Sequence, residues 1–223
     1  MSSNVPANQL MARIAAFNTD LAQRVPDVAK ALAAEIESVV RSGAGSKALR
    51  VGDSAPDFAL PDATRPSISL ATLRQSGPVV VTFYRGQWCP YCDLQLRAYQ
   101  EVLPRVRALG ATLVAISPQT PDESLSTAEK RKLEFYVLSD AENKVARSWG
   151  LVWKVGASLD SLHKASGVDL ARSNGDTSNE LPVPATFVVE PSGRIAFAHV
   201  DPNWRGRLEP AALIAALEQV VRK

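Results

Sequence analysis

The sequence predicts an α/β fold with a mixed central sheet flanked by helices, plus an N-terminal helical extension. Three observations indicate this fold. Apolar, β-branched runs of strand length alternate with segments in which apolar residues recur every three or four positions. The last two runs, at 186–190 and 194–200, are joined by a Pro-Ser-Gly turn and predict a hairpin. Residues 8–42 show only helical periodicity, so they are expected to lie outside the sheet.

The extension reads as two amphipathic helices. Apolar residues recur from Leu10 to Leu21, and the pattern resumes at Val28 after a break at Pro26. A Gly- and Ser-rich segment at 42–46 follows. We therefore divide the chain into an N-terminal helical extension, 1–48, and a main domain, 49–223. The extension is expected to cap the main domain; a dimerisation arm, which would make the protein a homodimer, is the alternative.

The main domain opens with a small hairpin-like region within 51–70 and continues as alternating strands and helices. The predicted strands are 78–84, 112–117 and 135–138, and the predicted helices are 90–109, 121–133, 141–149 and 209–221. Residues 151–182 are the least regular and are expected to form an insertion with one short helix and a loop. Together with the late hairpin, this order is the thioredoxin-like plan.

Composition excludes several classes of function. The chain has 25 basic and 23 acidic residues, giving a net charge of +2 without long charged runs, so neither nucleic acid nor a membrane surface is an expected partner. No stretch approaches the roughly 20 apolar residues of a spanning helix, and the start lacks a signal-peptide pattern. We expect a cytoplasmic protein, where a cysteine pair is more often catalytic than structural.

The chemistry centres on the only two cysteines, Cys89 and Cys92, at a predicted strand-to-helix turn. Cys89 is expected at the N-cap or first position of the helix and Cys92 in its first turn. Unpaired backbone amides and the helix dipole favour a thiolate there. Pro90 suits the first turn because no backbone donor is needed at that point. The pair therefore predicts a dithiol redox site.

Four neighbours of the cysteines receive provisional roles. Arg85 is a candidate cation beside the dithiol, and Trp88 is expected to form a hydrophobic shelf there. Tyr91 is expected to be a solvent-facing spacer. Asp93 is expected to cap or complement the start of the helix.

The remaining candidates lie far along the chain. His163 and His199 are expected to be surface or sheet residues rather than general bases, and with two cysteines they offer no usual zinc spacing, so no metal site is predicted. Dithiol chemistry also requires no cofactor. Arg205 and Arg207 are most simply exposed charges, and a place near the dithiol is the alternative.

A series of landmarks resembles the peroxiredoxin family (alkyl hydroperoxide reductase / thiol-specific antioxidant). They are 52–58 (GDSAPDF), 83–84 (FY) before the cysteine turn, 115–117 (AIS), 138–140 (LSD) and 187–195 (FVVEPSGRI). Residues 83–92 (FYRGQWCPYC) resemble most the peroxiredoxin-like subgroup with a CxxC motif. The resemblance covers about 49–217. It implies a thiol peroxidase that reduces hydrogen peroxide or organic hydroperoxides and is reduced again by a thioredoxin- or glutaredoxin-like donor.

The chain departs from the family pattern Pro-x-x-x-Thr-x-x-Cys. By this resemblance Arg85 stands at the Pro position, Cys89 at the Thr position and Cys92 at the peroxidatic cysteine. Pro184 takes the place of a second family arginine, so the site is expected to lack that arginine. Pro184 also holds the position of the cis-proline that faces the dithiol in thioredoxin, and a cis bond is predicted there.

Two assignments of the cysteines stay open. In the peroxiredoxin assignment Cys92 attacks peroxide, becomes a sulfenic acid and condenses with Cys89; in the thioredoxin-like assignment Cys89 is the exposed nucleophile and Cys92 resolves it. Both end in a Cys89–Cys92 disulfide. Two further functions are alternatives: a protein dithiol-disulfide oxidoreductase with little peroxidase activity, and a non-enzymatic redox sensor or binding protein whose disulfide switches a surface of the extension and insertion.

Overall fold

A five-stranded mixed sheet forms the centre of the protein in a computed structural model that describes residues 9–62 and 67–222. In chain order the strands are β1 (Ala59–Leu60), β2 (Ile68–Ser69), β3 (Val79–Phe83), β4 (Thr112–Ser117), β5 (Tyr136–Ser139), β6 (Val152–Lys154), β7 (Glu180–Pro182), β8 (Ala185–Val189) and β9 (Ile195–Val200). The order in the main sheet is β5-β4-β3-β8-β9. Strands β3, β4 and β5 are parallel, whereas β8 is antiparallel to both β3 and β9.

Helices cover the sheet and precede it. They are α1 (Leu10–Arg24), α2 (Pro26–Arg41), α3 (Leu70–Arg74), α4 (Pro90–Ala108), α5 (Pro121–Arg131), α6 (Lys144–Ser148), α7 (Ala157–Ala165), α8 (Leu170–Asn174) and α9 (Pro210–Val221), with a 3₁₀ turn at Ala141–Asn143. Within the described residues, no helix combines the length and apolarity needed to cross a bilayer.

The predicted strands and long helices of the main domain are confirmed. Every residue of β3 and of β8 is buried, because these strands lie at the centre of the sheet and have helices over them. Their continuous apolar character was therefore a reliable signal. The small hairpin is also confirmed, since β1 pairs with β2 in antiparallel register.

The prediction of one helix and a loop at 151–182 is wrong. Strands β6 and β7 of this segment form a two-stranded antiparallel sheet, and helices α7 and α8 lie between these strands in the chain. Its apolar residues are spaced too irregularly to show a period, yet Leu159, Leu170 and Leu181 are all buried. Burial against the rest of the protein, rather than local periodicity, therefore stabilises this segment.

The two N-terminal helices pack on the main domain, as α1 contacts α4 and α2 contacts α7. Leu10 and Ile14 of α1 are each 1% exposed. The carboxylate of Glu209, just before α9, accepts hydrogen bonds from the backbone amides of Leu10 and Met11 at 3.2 and 2.8 Å. This carboxylate satisfies amides that the first turn of α1 cannot pair internally. The contacts support the proposal that the extension caps the main domain.

Candidate active site

The dithiol lies where β3 passes into α4. Cys89 is the N-cap of α4, and its sulfur accepts a hydrogen bond from the Cys92 amide at 3.3 Å. The predicted placement of both cysteines is therefore confirmed. Both are free thiols, and their Sγ atoms lie 2.7 Å apart. A Cys89–Cys92 disulfide could therefore form with little movement of the backbone.

Cys89 is not exposed, unlike in the thioredoxin-like assignment, which makes it an exposed nucleophile. Cys89 is 0% and Cys92 is 1% exposed. Pro90, at the first position of α4, is exposed, but its neighbours on both sides are buried. The physical reason is that the turn is covered by the N-terminal helices and by residues before α9, which a local sequence pattern does not reveal.

Two buried arginines converge on the two sulfurs. Nη2 of Arg85 lies 3.1 Å from the Cys89 sulfur, and Nη2 of Arg207 lies 3.5 Å from the Cys92 sulfur. The guanidinium groups belong to residues that are only 4% and 5% exposed. The prediction that Arg207 is an exposed charge is wrong, and the alternative, a place near the dithiol, is confirmed. The site was expected to lack a second arginine because Pro184 takes the place of that residue. Arg207 nevertheless brings a second guanidinium group to the site.

Arg207 is held in place by fixed partners. Its Nε donates a hydrogen bond to the Trp204 carbonyl oxygen at 2.8 Å, and its Nη1 donates one to Gln95 Oε1 at 2.6 Å. Gln95 lies one turn after Cys92 in α4, so the same helix positions the sulfur and the group that orients its cation. Neighbouring Arg205 is half-buried rather than exposed, because this loop packs against the protein.

Arg85 is positioned by aromatic rings. Its guanidinium lies 4.4 Å from the ring centre of Trp204 and 5.2 Å from that of Trp88. Trp204 in turn stacks on Trp153 of the two-stranded β6–β7 sheet, at 6.2 Å between ring centres and 12° between planes. Cation–π contacts of this kind hold a guanidinium without neutralising it. Trp88 is thus a hydrophobic neighbour of the site, as expected, and it also contacts the cation.

The surroundings favour Cys92 over Cys89 as the thiolate. Burial opposes ionisation of Cys92, but a hydrogen bond from Cys89 and the charges of Arg207 and Arg85 outweigh it and lower the pKa of Cys92 well below its ordinary value. Burial, followed by the hydrogen bond with Cys92, raises the pKa of Cys89. The pair can therefore hold one negative charge on Cys92 and one proton on Cys89.

The two histidines have different surroundings. His163 of α7 is only 7% exposed and packs its ring 4.8 Å from that of Trp88, so the expectation of a surface residue is wrong for it. Burial, and then the charge of Arg85, lower the pKa of His163 to about 4. His199 lies in β9 and is half-buried, which confirms the expectation of a sheet residue.

The prediction that Tyr91 faces solvent is wrong. Its side chain is 2% exposed, its hydroxyl donates a hydrogen bond to Asn18 Oδ1 at 2.7 Å, and its ring packs edge-on against Phe17 at 5.3 Å. Helix α1 therefore covers Tyr91, one of the two residues between the cysteines. Asp93, in the first turn of α4, pairs with Arg97 at 3.1 Å and with Arg131, while Cys89 occupies the N-cap.

Pro184 lies at the expected end of the sheet, but the peptide bond before it is trans and not cis as predicted. It is buried and precedes β8, where Ala185 pairs with Phe83 at the end of β3. The described residues contain no cis peptide bond, so the predicted cis-proline is wrong. The segment runs directly from β7 into β8, held by a 2.8 Å bond from the Val183 amide to the Leu151 carbonyl, and it contains no tight turn of the kind that favours a cis proline.

Comparison with known sequences connects this geometry to a family. A model of the AhpC/TSA family matches residues 51–198. The peroxiredoxin Bcp of Escherichia coli (strain K12) is 31% identical over 122 residues, which cover 53% of this chain and 77% of that protein. A Mycobacterium tuberculosis protein that carries the name peroxiredoxin is 35% identical over 160 residues, which cover 72% of this chain and 90% of that protein.

Solved structures show the same fold. Peroxidoxin BcpB from Mycobacterium tuberculosis is similar with a TM-score of 0.61 at 22% identity, over 77% of this chain and 98% of that chain. The bacterioferritin comigratory protein of Xanthomonas campestris, described for its alkyl peroxide reduction activity, is similar with a TM-score of 0.57 at 15% identity, over 74% of this chain and 92% of that chain.

Proposed function

The chain belongs to the AhpC/TSA family and is an enzyme of the peroxiredoxin type, and we propose that it reduces hydroperoxides with Cys92 as nucleophile and Cys89 as resolving cysteine. The observation that carries the assignment is the convergence of Arg207 and Arg85 on a buried dithiol whose lower pKa belongs to Cys92. Thiolate, rather than thiol, is the reactive form toward peroxide.

In the first step the Cys92 thiolate attacks one oxygen of the hydroperoxide. A sulfur–oxygen bond forms, the oxygen–oxygen bond breaks, and the leaving alkoxide or hydroxide takes a proton from solvent to become an alcohol or water. Negative charge moves from the sulfur to the leaving oxygen during this step. The buried Arg85 and Arg207 guanidinium groups stabilise that charge more strongly than solvent-exposed cations would.

In the second step the Cys89 thiol condenses with the Cys92 sulfenic acid. The sulfur–sulfur bond forms, the sulfur–oxygen bond of Cys92 breaks, and the hydroxyl leaves with the Cys89 proton as water. The 2.7 Å separation of the sulfurs in the reduced site supports this direct closure. By the resemblance Cys89 stands at the position of the family's threonine, and in this step it supplies the resolving thiol from the same turn.

An external dithiol then returns the site to its reduced form. A thioredoxin- or glutaredoxin-like protein is the proposed donor, by thiol–disulfide exchange with the Cys89–Cys92 disulfide. We place this cycle in the cytoplasm, where such donors keep thiols reduced.

Single cysteine variants test the assignment in stopped-flow reactions of the reduced protein with hydrogen peroxide. Cys89→Ser should consume one equivalent of peroxide and stop at the sulfenic acid, because the nucleophile remains. Cys92→Ser should react no faster than a free thiol. The reverse result would overturn the roles of the two cysteines, and a wild-type rate no better than that of a free thiol of the same pKa would overturn the peroxidase function.

The protein oxidoreductase alternative is less well supported by the geometry. Both functions require a partner protein to reach a sulfur, and because these two are 0% and 1% exposed, burial alone does not separate the functions. The two buried arginines beside the sulfurs favour peroxide, because they stabilise the charge that develops on a peroxide oxygen. Insulin reduction provides the direct comparison. We expect negligible insulin reduction by a protein that turns over peroxide with thioredoxin.

A further inference from the structure

One face of α4 carries buried polar side chains that continue from the dithiol into the core. Cys92, Gln95 and Tyr99 follow one another at spacings of three and four residues, so their side chains lie on the same face of the helix. All three residues are buried, and Tyr99 is 0% exposed. Tyr99 thus places a hydroxyl group inside the protein, two helical turns after the sulfur that reacts in the proposed cycle.

The hydrogen-bond partners of Gln95 fix the orientation of its side-chain amide. A guanidinium group only donates hydrogen bonds, so Gln95 has to present Oε1 to Arg207, whose Nη1 lies 2.6 Å away. The amide nitrogen Nε2 then points to the opposite side and donates to the Tyr99 hydroxyl oxygen at 3.1 Å. Thr186 Oγ1 is a more distant acceptor of Nε2, at 3.5 Å. Because the amide is buried, loss of the Tyr99 acceptor would leave Nε2 without a well-placed partner.

The Tyr99 hydroxyl can accept from Gln95 because its own proton has acceptors elsewhere. Thr186 Oγ1 lies 3.1 Å and the Leu208 carbonyl oxygen 3.4 Å from the hydroxyl oxygen. Thr186 belongs to β8, in which every residue is buried, so it attaches the hydroxyl to the centre of the sheet. Leu208 directly follows Arg207 in the chain. The same hydroxyl therefore contacts the backbone next to the site arginine.

Arg207 lies in a segment that has no helix or strand of its own. Residues 201–209 connect β9 to α9, and such connections are in general more mobile than the elements they join. The Arg207 guanidinium lies 3.5 Å from the Cys92 sulfur, and it keeps this position only through its contacts. Its bond to the Trp204 carbonyl oxygen stays within the same segment. Contacts that involve Tyr99, in contrast, connect the segment to α4, the helix that carries the sulfur.

We propose that Tyr99 is a positioning residue for the reaction with peroxide, because its hydroxyl holds the Arg207 guanidinium beside Cys92. The hydroxyl does so in two ways: it orients the Gln95 amide that binds the guanidinium, and it contacts the Leu208 carbonyl next to the arginine. Tyr99 acts on the sulfur through the arginine, so it is not a catalytic residue. This inference rests on the proposed function and adds a residue, outside the dithiol turn, on which the reactivity of Cys92 depends.

Removal of the hydroxyl alone tests the proposal. Tyr99→Phe keeps the ring but takes the acceptor from Gln95 Nε2, so the guanidinium is held less firmly beside the thiolate. The pKa of Cys92 should therefore rise, and the rate constant for hydrogen peroxide at a pH near that pKa should fall about three- to tenfold, the effect of one lost hydrogen bond. The ultraviolet absorbance of the thiolate gives the pKa, and stopped-flow mixing of the reduced protein with hydrogen peroxide gives the rate constant.

A double-mutant cycle separates positioning from a general loss of structure. If Tyr99 acts through Arg207, Tyr99→Phe should change neither the Cys92 pKa nor the peroxide rate constant in the Arg207→Met protein. Ser124→Ala is the matched control, because it also removes a buried hydroxyl, which lies 2.8 Å from Ser139 Oγ between α5 and β5. This control should lower the free energy of unfolding but leave the pKa of Cys92 unchanged.

A second variant reaches the same hydroxyl from the sheet. Thr186→Val keeps the shape of the side chain and removes one partner of the Tyr99 hydroxyl. It should raise the pKa of Cys92 in the same direction but by less, because the Leu208 carbonyl still accepts the Tyr99 proton.

The outcomes separate the inference from the proposed function. If Tyr99→Phe leaves the Cys92 pKa and the peroxide rate constant at their wild-type values, or if it has the same effect with and without Arg207, Tyr99 does not position the arginine and the inference is wrong. If the wild-type protein reacts with peroxide no faster than a free thiol, the proposed function is wrong, whereas the pKa measurements still test the role of Tyr99.

Discussion

At the scale of single residues, the site depends on the charge next to Cys92. Arg207 supplies it from 115 residues along the chain, with its Nη2 3.5 Å from the sulfur. Because a nearby cation favours the thiolate, the reaction with peroxide should rise with pH through the pKa of Cys92 and be constant above it. Because the pKa of Cys92 is lowered well below its ordinary value, this rise should occur at lower pH than for an ordinary cysteine.

Replacing Arg207 by Met should move that rise to higher pH. Loss of a charged hydrogen-bond partner should lower the peroxide rate constant at neutral pH about 10- to 100-fold. Arg207→Lys should recover part of the loss, since it keeps the charge but not the contact geometry. The ultraviolet absorbance of the thiolate during a pH titration reports the pKa directly. A Cys92 pKa that stays low in Arg207→Met would show that Arg207 does not stabilise the thiolate.

His163 predicts a pH dependence of stability. Its pKa is about 4 in the folded protein against 6.5 for an ordinary histidine, so the unfolded chain binds a proton first as pH falls. The free energy of unfolding should therefore fall between about pH 6.5 and pH 4, by at most about 3 kcal/mol. Urea unfolding at several pH values measures it. His163→Gln cannot titrate and should lose this part of the pH dependence; an unchanged profile would contradict the assignment.

At the scale of elements, α1 covers the turn that carries the dithiol. Its Asn18 accepts the Tyr91 hydroxyl bond at 2.7 Å, and Tyr91 lies between the two buried cysteines. A reducing protein must reach a sulfur, so the first turn of α4 has to become accessible at least transiently before the disulfide is reduced.

Asn18→Ala should make that opening easier. Loss of one hydrogen bond, about 1 kcal/mol, should raise the rate of reduction of the oxidised protein by thioredoxin about fivefold. The rate of peroxide consumption should change less. Thr19→Ala, at the adjacent exposed position of α1, is the control, because Thr19 bonds only within its own helix. Equal reduction rates in the two variants would exclude α1 as the element that limits access.

At the scale of the whole molecule, Gly150 of the main domain packs against the backbone at the end of the extension. It has a φ of +72°, and a Cβ atom there would collide with the backbone of Lys47. The Leu49 amide, two residues after Lys47, bonds to the Trp149 carbonyl at 3.2 Å, so the end of the extension is held directly against residues 149–150.

Gly150→Ala should therefore destabilise the protein beyond the cost of its backbone conformation. Gly167→Ala is the matched control, because Gly167 has a similar φ of +75° but nothing within 4 Å of an added Cβ. Both variants should lose about 1 kcal/mol for the left-handed conformation, and Gly150→Ala should lose more. Urea unfolding gives both values. Equal losses would mean that the backbone yields at this contact without cost.

Much of the architecture could be predicted because its signals are local. The buried runs of β3 and β4, the break at Pro26 and the start of α4 at Pro90 depend on residues within a few positions of one another. The two-stranded β6–β7 sheet could not be predicted in the same way. Its apolar residues have no regular spacing, and its strands pair across the two helices between them.

The sequence by itself determined that this chain carries a dithiol at the N-terminus of a helix, in an α/β fold with a mixed central sheet. Spacing, helix capping and strand composition decide those features within short segments. Only the tertiary structure decided that both sulfurs are buried, that the Arg207 guanidinium lies beside the Cys92 sulfur and that Tyr91 lies under α1. These contacts join residues distant along the chain, and the packing of whole elements, which no local pattern encodes, brings them together.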